Sequence, residues 1–182
     1  MNTLYLVRHA QTQPTALPAE TWALSDAGIH QARKLAELTF WQDVQIICAS
    51  WEPKAIQTAQ IVAERRNLPI EPVFDLRELR RTENVPDYEA AVHTALQNPF
   101  KSIKGWEPAG EAQTRIVTAI ERLLMLYETE TLAIVSHGLV LTLYLAYLTD
   151  AAPTLDLWRS LTFASATHVN LQDHTILNRF TI

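Results

Sequence analysis

Two apolar runs in this sequence stop abruptly on a histidine. Leu4-Tyr5-Leu6-Val7 leads into Arg8-His9-Ala10, and Leu132-Ala133-Ile134-Val135 leads into Ser136-His137-Gly138. Short apolar runs bounded by polar residues read as strands. Strands alternating with helical patterns build a mainly parallel sheet with helices on both faces. Parallel strands end at a common edge, and ligands of open α/β sheets bind there. Two histidines and an arginine are therefore expected around one pocket. A histidine beside a fixed positive charge is placed to attack phosphorus while the guanidinium holds the phosphate.

The alternation runs the length of the chain. Strands are expected near residues 3–8, 44–49, 70–74 and 132–136. Helices are expected near 26–39, 54–66, 88–96 and 139–148, with a long one carrying Ile116, Val117, Ile120, Leu123, Leu124 and Tyr127 on one face. Two last strands, near 167–171 and 175–180, flank the turn Gln172-Asp173-His174 and should pair as a hairpin. The fold class expected is α/β: a three-layer αβα sandwich, its sheet mainly parallel with an antiparallel C-terminal component, in one domain over residues 1–182. Residues 11–23, 79–87 and 99–108 read as loops that would form the rim and lid of the pocket.

Charge and composition narrow the function. A net charge of -5 lacks the basic footprint of a nucleic-acid binder. The longest apolar run, 139–148, is too short to span a membrane and reads as a buried helix. Met1 leads straight into a strand pattern with no signal segment, so a cytoplasmic location is the expectation. The lone Cys48 sits within an apolar run and reads as an inert buried thiol. His30, His93, His168 and His174 show no metal-ligand spacing, so neither a metal nor another cofactor is expected.

Further motifs stand between the two histidine segments. Ser50-Trp51-Glu52-Pro53-Lys54-Ala55-Ile56-Gln57-Thr58-Ala59 is followed by Leu76-Arg77-Glu78 and Gly110-Glu111-Ala112, and preceded by Leu24-Ser25-Asp26-Ala27-Gly28-Ile29-His30-Gln31-Ala32. In this order, with Arg8-His9 and Ser136-His137-Gly138, they resemble the histidine phosphatase superfamily, the phosphoglycerate mutase-like group. The resemblance spans most of the chain. Family segments read Arg-His-Gly, Leu-Thr-x-x-Gly-x-x-Gln-Ala, Ser-x-x-x-Arg-Ala-x-Gln-Thr-Ala, Leu-Arg-Glu, Gly-Glu-Ser and Ser-His-Gly. This chain departs from them at Ala10, at Lys54 in place of an arginine, and at Thr15 where many relatives carry asparagine.

The resemblance implies a role for each matched residue. His9 would be the nucleophile, forming a phosphohistidine with its tautomer fixed by a backbone carbonyl. Arg8 would clamp the phosphate through its planar fork. His137, as a cation, would donate to the transferring group, and a helix starting there would add its positive end. Glu78, favoured over Glu83 by the resemblance alone, would protonate the leaving oxygen and then activate water. Lys54, Thr12 and Thr15 would complete the phosphate site, Lys54 as a point charge without the fork. A plain surface lysine is the bland alternative at position 54. At position 10, alanine would be strained if the backbone there needs positive φ.

Three readings stay open at this point. One is a metal-independent phosphomonoester hydrolase acting on a small phosphorylated metabolite or a phosphorylated protein. A second is a phosphoglycerate mutase, disfavoured by the short region between Glu78 and Gly110. The third is a pseudo-phosphatase that binds a phosphorylated ligand without turnover. Trp22, Trp51, Trp106 and Tyr88 are expected as possible pocket walls. Glu20, Glu83 and Glu107 are expected near the mouth, where they would repel bisphosphates.

Overall fold

The computed structural model describes residues 3–82 and 85–182. In chain order its elements are β1 (Thr3–Arg8), α1 (Asp26–Ala36), β2 (Ile46–Ser50), α2 (Pro53–Arg66), β3 (Ile70–Val73), α3 (Tyr88–Gln97), α4 (Ala109–Leu126), β4 (Leu132–Ser136), α5 (Gly138–Leu148), α6 (Leu155–Ser160), β5 (Ala166–Asn170) and β6 (Thr175–Phe180). The six strands form one sheet in the order β3-β2-β4-β1-β5-β6. β3, β2, β4 and β1 run parallel, while β5 and β6 run antiparallel at one side. This is the expected α/β sandwich, with its C-terminal hairpin.

The period-2 alternation of β1 builds the core. Leu4 and Leu6 join Cys48, Leu132 and Ile134 on one face, under buried residues of α3, α4 and α5. Tyr5 and Val7 join Ile47, Ala49, Ala133 and Val135 on the other, under α1 and α2. Burying each large aliphatic side chain contributes about 1.5–3 kcal/mol. α5 is buried along nearly its whole length. Burial also pushes the Cys48 thiol up to about 12, so it stays protonated.

Local chemistry sets the element ends. Ser25 caps α1 by accepting from the Gly28 N–H, and Thr154 caps α6 by accepting from Leu157. Gly28 lies so close to the Gln11 carbonyl that a Cβ there would collide with it. Three boundaries differ from the sequence reading. The first helix stops at Ala36, and residues Thr39–Gln42 make a separate 3-10 turn that buries Phe40 and Trp41. α4 begins at Ala109, well before its first large apolar residue. α6 lies where the sequence reading placed no element; it has six residues and none is fully buried.

Candidate active site

The four parallel strands bring the motif residues to one edge. β1 delivers Arg8 and His9, β2 delivers Ser50 and the Glu52–Lys54 turn, and β4 delivers Ser136 and His137. The His9 N–H donates to the Ser136 carbonyl at 2.9 Å, locking the two strand ends together. The His9 and His137 rings stand 5.1 Å apart, edge to face.

The hydrogen bonding of His9 defines its tautomer. Nδ1 donates to the Ala10 carbonyl at 2.7 Å, because a carbonyl can only accept. Nε2 therefore carries the lone pair. The peptide that holds the ring is itself held: Ala10 N–H donates to Thr58 Oγ1 at 3.0 Å, and that hydroxyl donates to the Lys54 carbonyl. Burial, reinforced by His137, Lys54 and Arg8, drives the His9 pKa well below 6.5 and keeps the ring neutral. His137 is likewise buried, and desolvation with Lys54, Arg81 and Arg8 nearby holds it neutral too. Desolvation thus disfavours the cation expected at His137. Its Nε2 lies 2.8 Å from Ser50 Oγ, and its Nδ1 has no partner among the described residues.

Arg8 packs its guanidinium flat against Gly138, where a Cβ would stand 2.9 Å from Cζ. Glycine at the start of α5 is thus a steric requirement. Phe163 lies on the guanidinium, 4.3 Å from Cζ to the ring centre. One terminal nitrogen donates to the Leu161 carbonyl, and Nε is buried without a partner. Phe163 is set there by a strained turn, since Ala164 adopts φ +52. Ala10 is not among the positive-φ residues, and its methyl is fully buried, so the expected strain does not arise.

Glu78 is held by the main chain. Its carboxylate accepts from Leu79 (2.9 Å), Val140 (3.1 Å) and Leu139 (3.2 Å), the last two at the N-terminus of α5. Arg115 fastens the loop beneath, donating to the carbonyls of Asp75, Arg77 and Glu78 while paired with Glu107 at 2.9 Å. Glu107 is largely covered in that pair and lines neither this cavity nor its smaller neighbour. Glu83 lies outside the described residues, and Glu20 lines a smaller neighbouring cavity of about 200 Å³.

Lys54 is no surface lysine: only 3 % of it is exposed. Nζ pairs with the equally buried Glu52 and donates to the Ala19 carbonyl at 2.8 Å. The other Glu52 oxygen accepts from the Glu78 N–H at 2.7 Å and lies 3.6 Å from His137 Nε2.

Arg8, His9, Thr12, Thr15, Lys54 and Glu78 all line one cavity of about 670 Å³. His137 is fully buried and does not line it, though its ring packs against that of His9. Thr12 joins Leu24 through an isolated bridge, and the exposed Thr15 accepts from the Leu17 N–H at 3.2 Å. Trp22, Tyr88 and Trp106 line this cavity as expected, while Trp51 lies in the smaller one beside it. Trp158 and Phe163 complete the wall, and Arg81 stacks on Tyr88 at 4.7 Å. Among the described residues no group of three or more His, Cys, Asp or Glu is placed to hold a metal ion, and no helix is long and apolar enough to cross a membrane.

Sequence reasoning missed Glu52, Thr58, Arg115, Trp158 and Phe163. Thr58 stood inside the quoted Gln-Thr-Ala segment, and that signal was available. Arg115 sits on a helix face with no local pattern to mark it.

The model of the histidine phosphatase superfamily, branch 1, matches residues 4–179, nearly the whole chain. The chain belongs to that superfamily. Solved structures of the same fold include a phosphoserine phosphatase from Entamoeba histolytica, with TM-score 0.77, 20% identity, and coverage of 100% of this chain and 98% of that one. Bacillus stearothermophilus YhfR gives 0.73 at 24% identity, covering 97% and 94%. The mycobacterial glucosyl-3-phosphoglycerate phosphatase complexed with VO3 gives 0.75 at 22% identity, covering 93% and 92%. No curated protein matches the chain in sequence. Within this histidine phosphatase the family motifs account for the positions of His9, Arg8, Glu78 and His137.

Proposed function

We propose that this histidine phosphatase hydrolyses the phosphomonoester of a small phosphorylated metabolite through a phosphohistidine on His9. One observation carries the reading. The bare Nε2 of a neutral His9 shares a cavity with Arg8, whose buried Nε has no partner among the described residues. A phosphoryl oxygen would satisfy it.

The steps follow from the geometry. His9 Nε2 attacks phosphorus, forming the P–N bond as the bond to the leaving oxygen breaks. Arg8 holds the equatorial oxygens, where transition-state charge accumulates. The Glu78 carboxylate, at the same cavity, first takes up a proton and then gives it to the leaving oxygen. It then takes a proton from water, which attacks phosphorus, breaks the P–N bond and returns His9 to its starting state. The aromatic walls leave room for an organic group behind the phosphate.

Phosphate release from p-nitrophenyl phosphate across pH 4–9, with chelator present, tests the reading. Activity is expected to survive the chelator and to vanish in His9→Ala. The engagement of Lys54 by Glu52 favours a second reading, a binding protein without turnover. Acid-labile phosphate accumulating on His9, with no release, would decide for that one.

A further inference from the structure

Lys54 is the residue that most marks this chain off from its family's motif, and the structure shows that it does not stand alone. Glu52, two residues earlier and also buried, takes its charge. A buried ion pair is expensive to desolvate, and removing one partner leaves the other as an uncompensated charge. Glu52 reaches three parts of the site at once: Lys54 Nζ, the Glu78 main chain, and the edge of the His137 ring.

We propose that Glu52 is a specificity-determining residue that sets the charge state of the phosphate this site accepts, favouring the monoanion over the dianion. The inference rests on the phosphate-site reading above. With Lys54 neutralised, the pocket is one positive charge poorer than its count of basic residues suggests. Glu52 itself lines the smaller neighbouring cavity and acts on the phosphate cavity through Lys54, whose charge it cancels. A second negative charge on the phosphate then finds no free counter-charge at Lys54, whereas a phosphate that keeps one proton does not need it. The same missing counter-charge disfavours bisphosphates, a role the sequence had given to Glu20, Glu83 and Glu107.

The surrounding charges define the test. On its own segment Glu52 faces Lys54. Across from it stand His137, Glu78 and Arg81, with Arg8 and His9 at the end of β1; Arg115 and Tyr88 act from α4 and α3. Both histidines stay neutral above pH 6.5, and burial pushes the Tyr88 phenol up to about 12. None of these three titrates where phosphate undergoes its second ionisation.

Binding of inorganic phosphate, followed by calorimetry across pH 5–8.5, needs no turnover. In the wild type the apparent Kd is expected to rise, approaching tenfold per pH unit above that ionisation. Glu52→Gln, which keeps the shape, should flatten or reverse the slope. Glu52→Gln with Lys54→Gln restores the net charge and should recover the wild-type slope with weaker binding. Tightening with pH in the wild type would overturn the proposal even if neither variant folds. Equal slopes in wild type and Glu52→Gln would do the same. Those results would leave the phosphatase reading intact, whereas an absence of phosphate binding in all three proteins would remove both.

Discussion

Arg8 and Lys54, the two cations that act on His9, are held in opposite ways. Arg8 is pinned by shape, lying against Gly138 and under Phe163, with one terminal nitrogen on a carbonyl and Nε left without a partner. Lys54 is pinned by charge, its ammonium shared between Glu52 and the Ala19 carbonyl. A group fixed by packing keeps its hydrogen-bonding capacity for a ligand. A group fixed by a counter-ion has already spent much of it. On the proposed function, Arg8 is the cation that acts on phosphate, and Lys54 the one that moderates the field around it.

Removing each in turn would break this comparison most sharply. Arg8→Met should lower kcat/KM by on the order of a thousandfold, the scale of losing a transition-state donor, with little change in unfolding free energy. Lys54→Met should show the reverse balance. It strands Glu52 as an unpaired buried charge, at a cost of about 3–5 kcal/mol in stability. Denaturant unfolding and steady-state kinetics on the same two proteins read both sides. If Arg8→Met proves the less stable of the pair, the contrast is wrong.

Gly138→Ala sharpens the shape argument. The added methyl must displace the Arg8 guanidinium while leaving every charge in place. A loss of tenfold to a hundredfold in kcat/KM is expected, the scale of a misplaced positioning group. Unchanged kinetics would mean that the guanidinium does not need its seat.

A smaller effect follows from the neutral histidines. Both folded-state pKa values lie below the unfolded value of 6.5. Unfolding therefore takes up protons below pH 6.5, and stability is full above that pH and falls as pH drops toward the folded values. Each histidine contributes at most about 1.4 kcal/mol per pH unit. Urea midpoints at pH 7 and pH 5.5 would show it, and His137→Gln should roughly halve the slope.

Thr58→Val would be gentler again, at about 1–3 kcal/mol, since it strands the Ala10 N–H without touching a charge. A proton-exchange measurement at Ala10 would show whether the turn beneath His9 has loosened.

Much of this was legible in the sequence because burial writes itself in apolar residues. β1 and β4 could be read to their ends, since a strand buried on both faces is apolar until it stops, and it stops where the chemistry begins. The start of α4 could not, because Ala109, Gly110 and Ala112 are too small to mark a helical face. α6 has no fully buried residue, so it carries no period at all, and Trp158 on it was lost from the pocket. Glu52 was passed over for a different reason. An acidic residue beside a lysine looks like an ordinary solvated surface, and only the approach of Glu78 and His137 from distant elements shows that water is excluded there.

Ala10 also has meaning for the chain before it folds. The position needs no left-handed backbone, so a glycine there would only widen the range of conformations open to the disordered polypeptide. Alanine narrows that range and biases the equilibrium toward the ordered form by about 0.4–1 kcal/mol. A residue that looks like the loss of a motif position thus makes the catalytic turn cheaper to form.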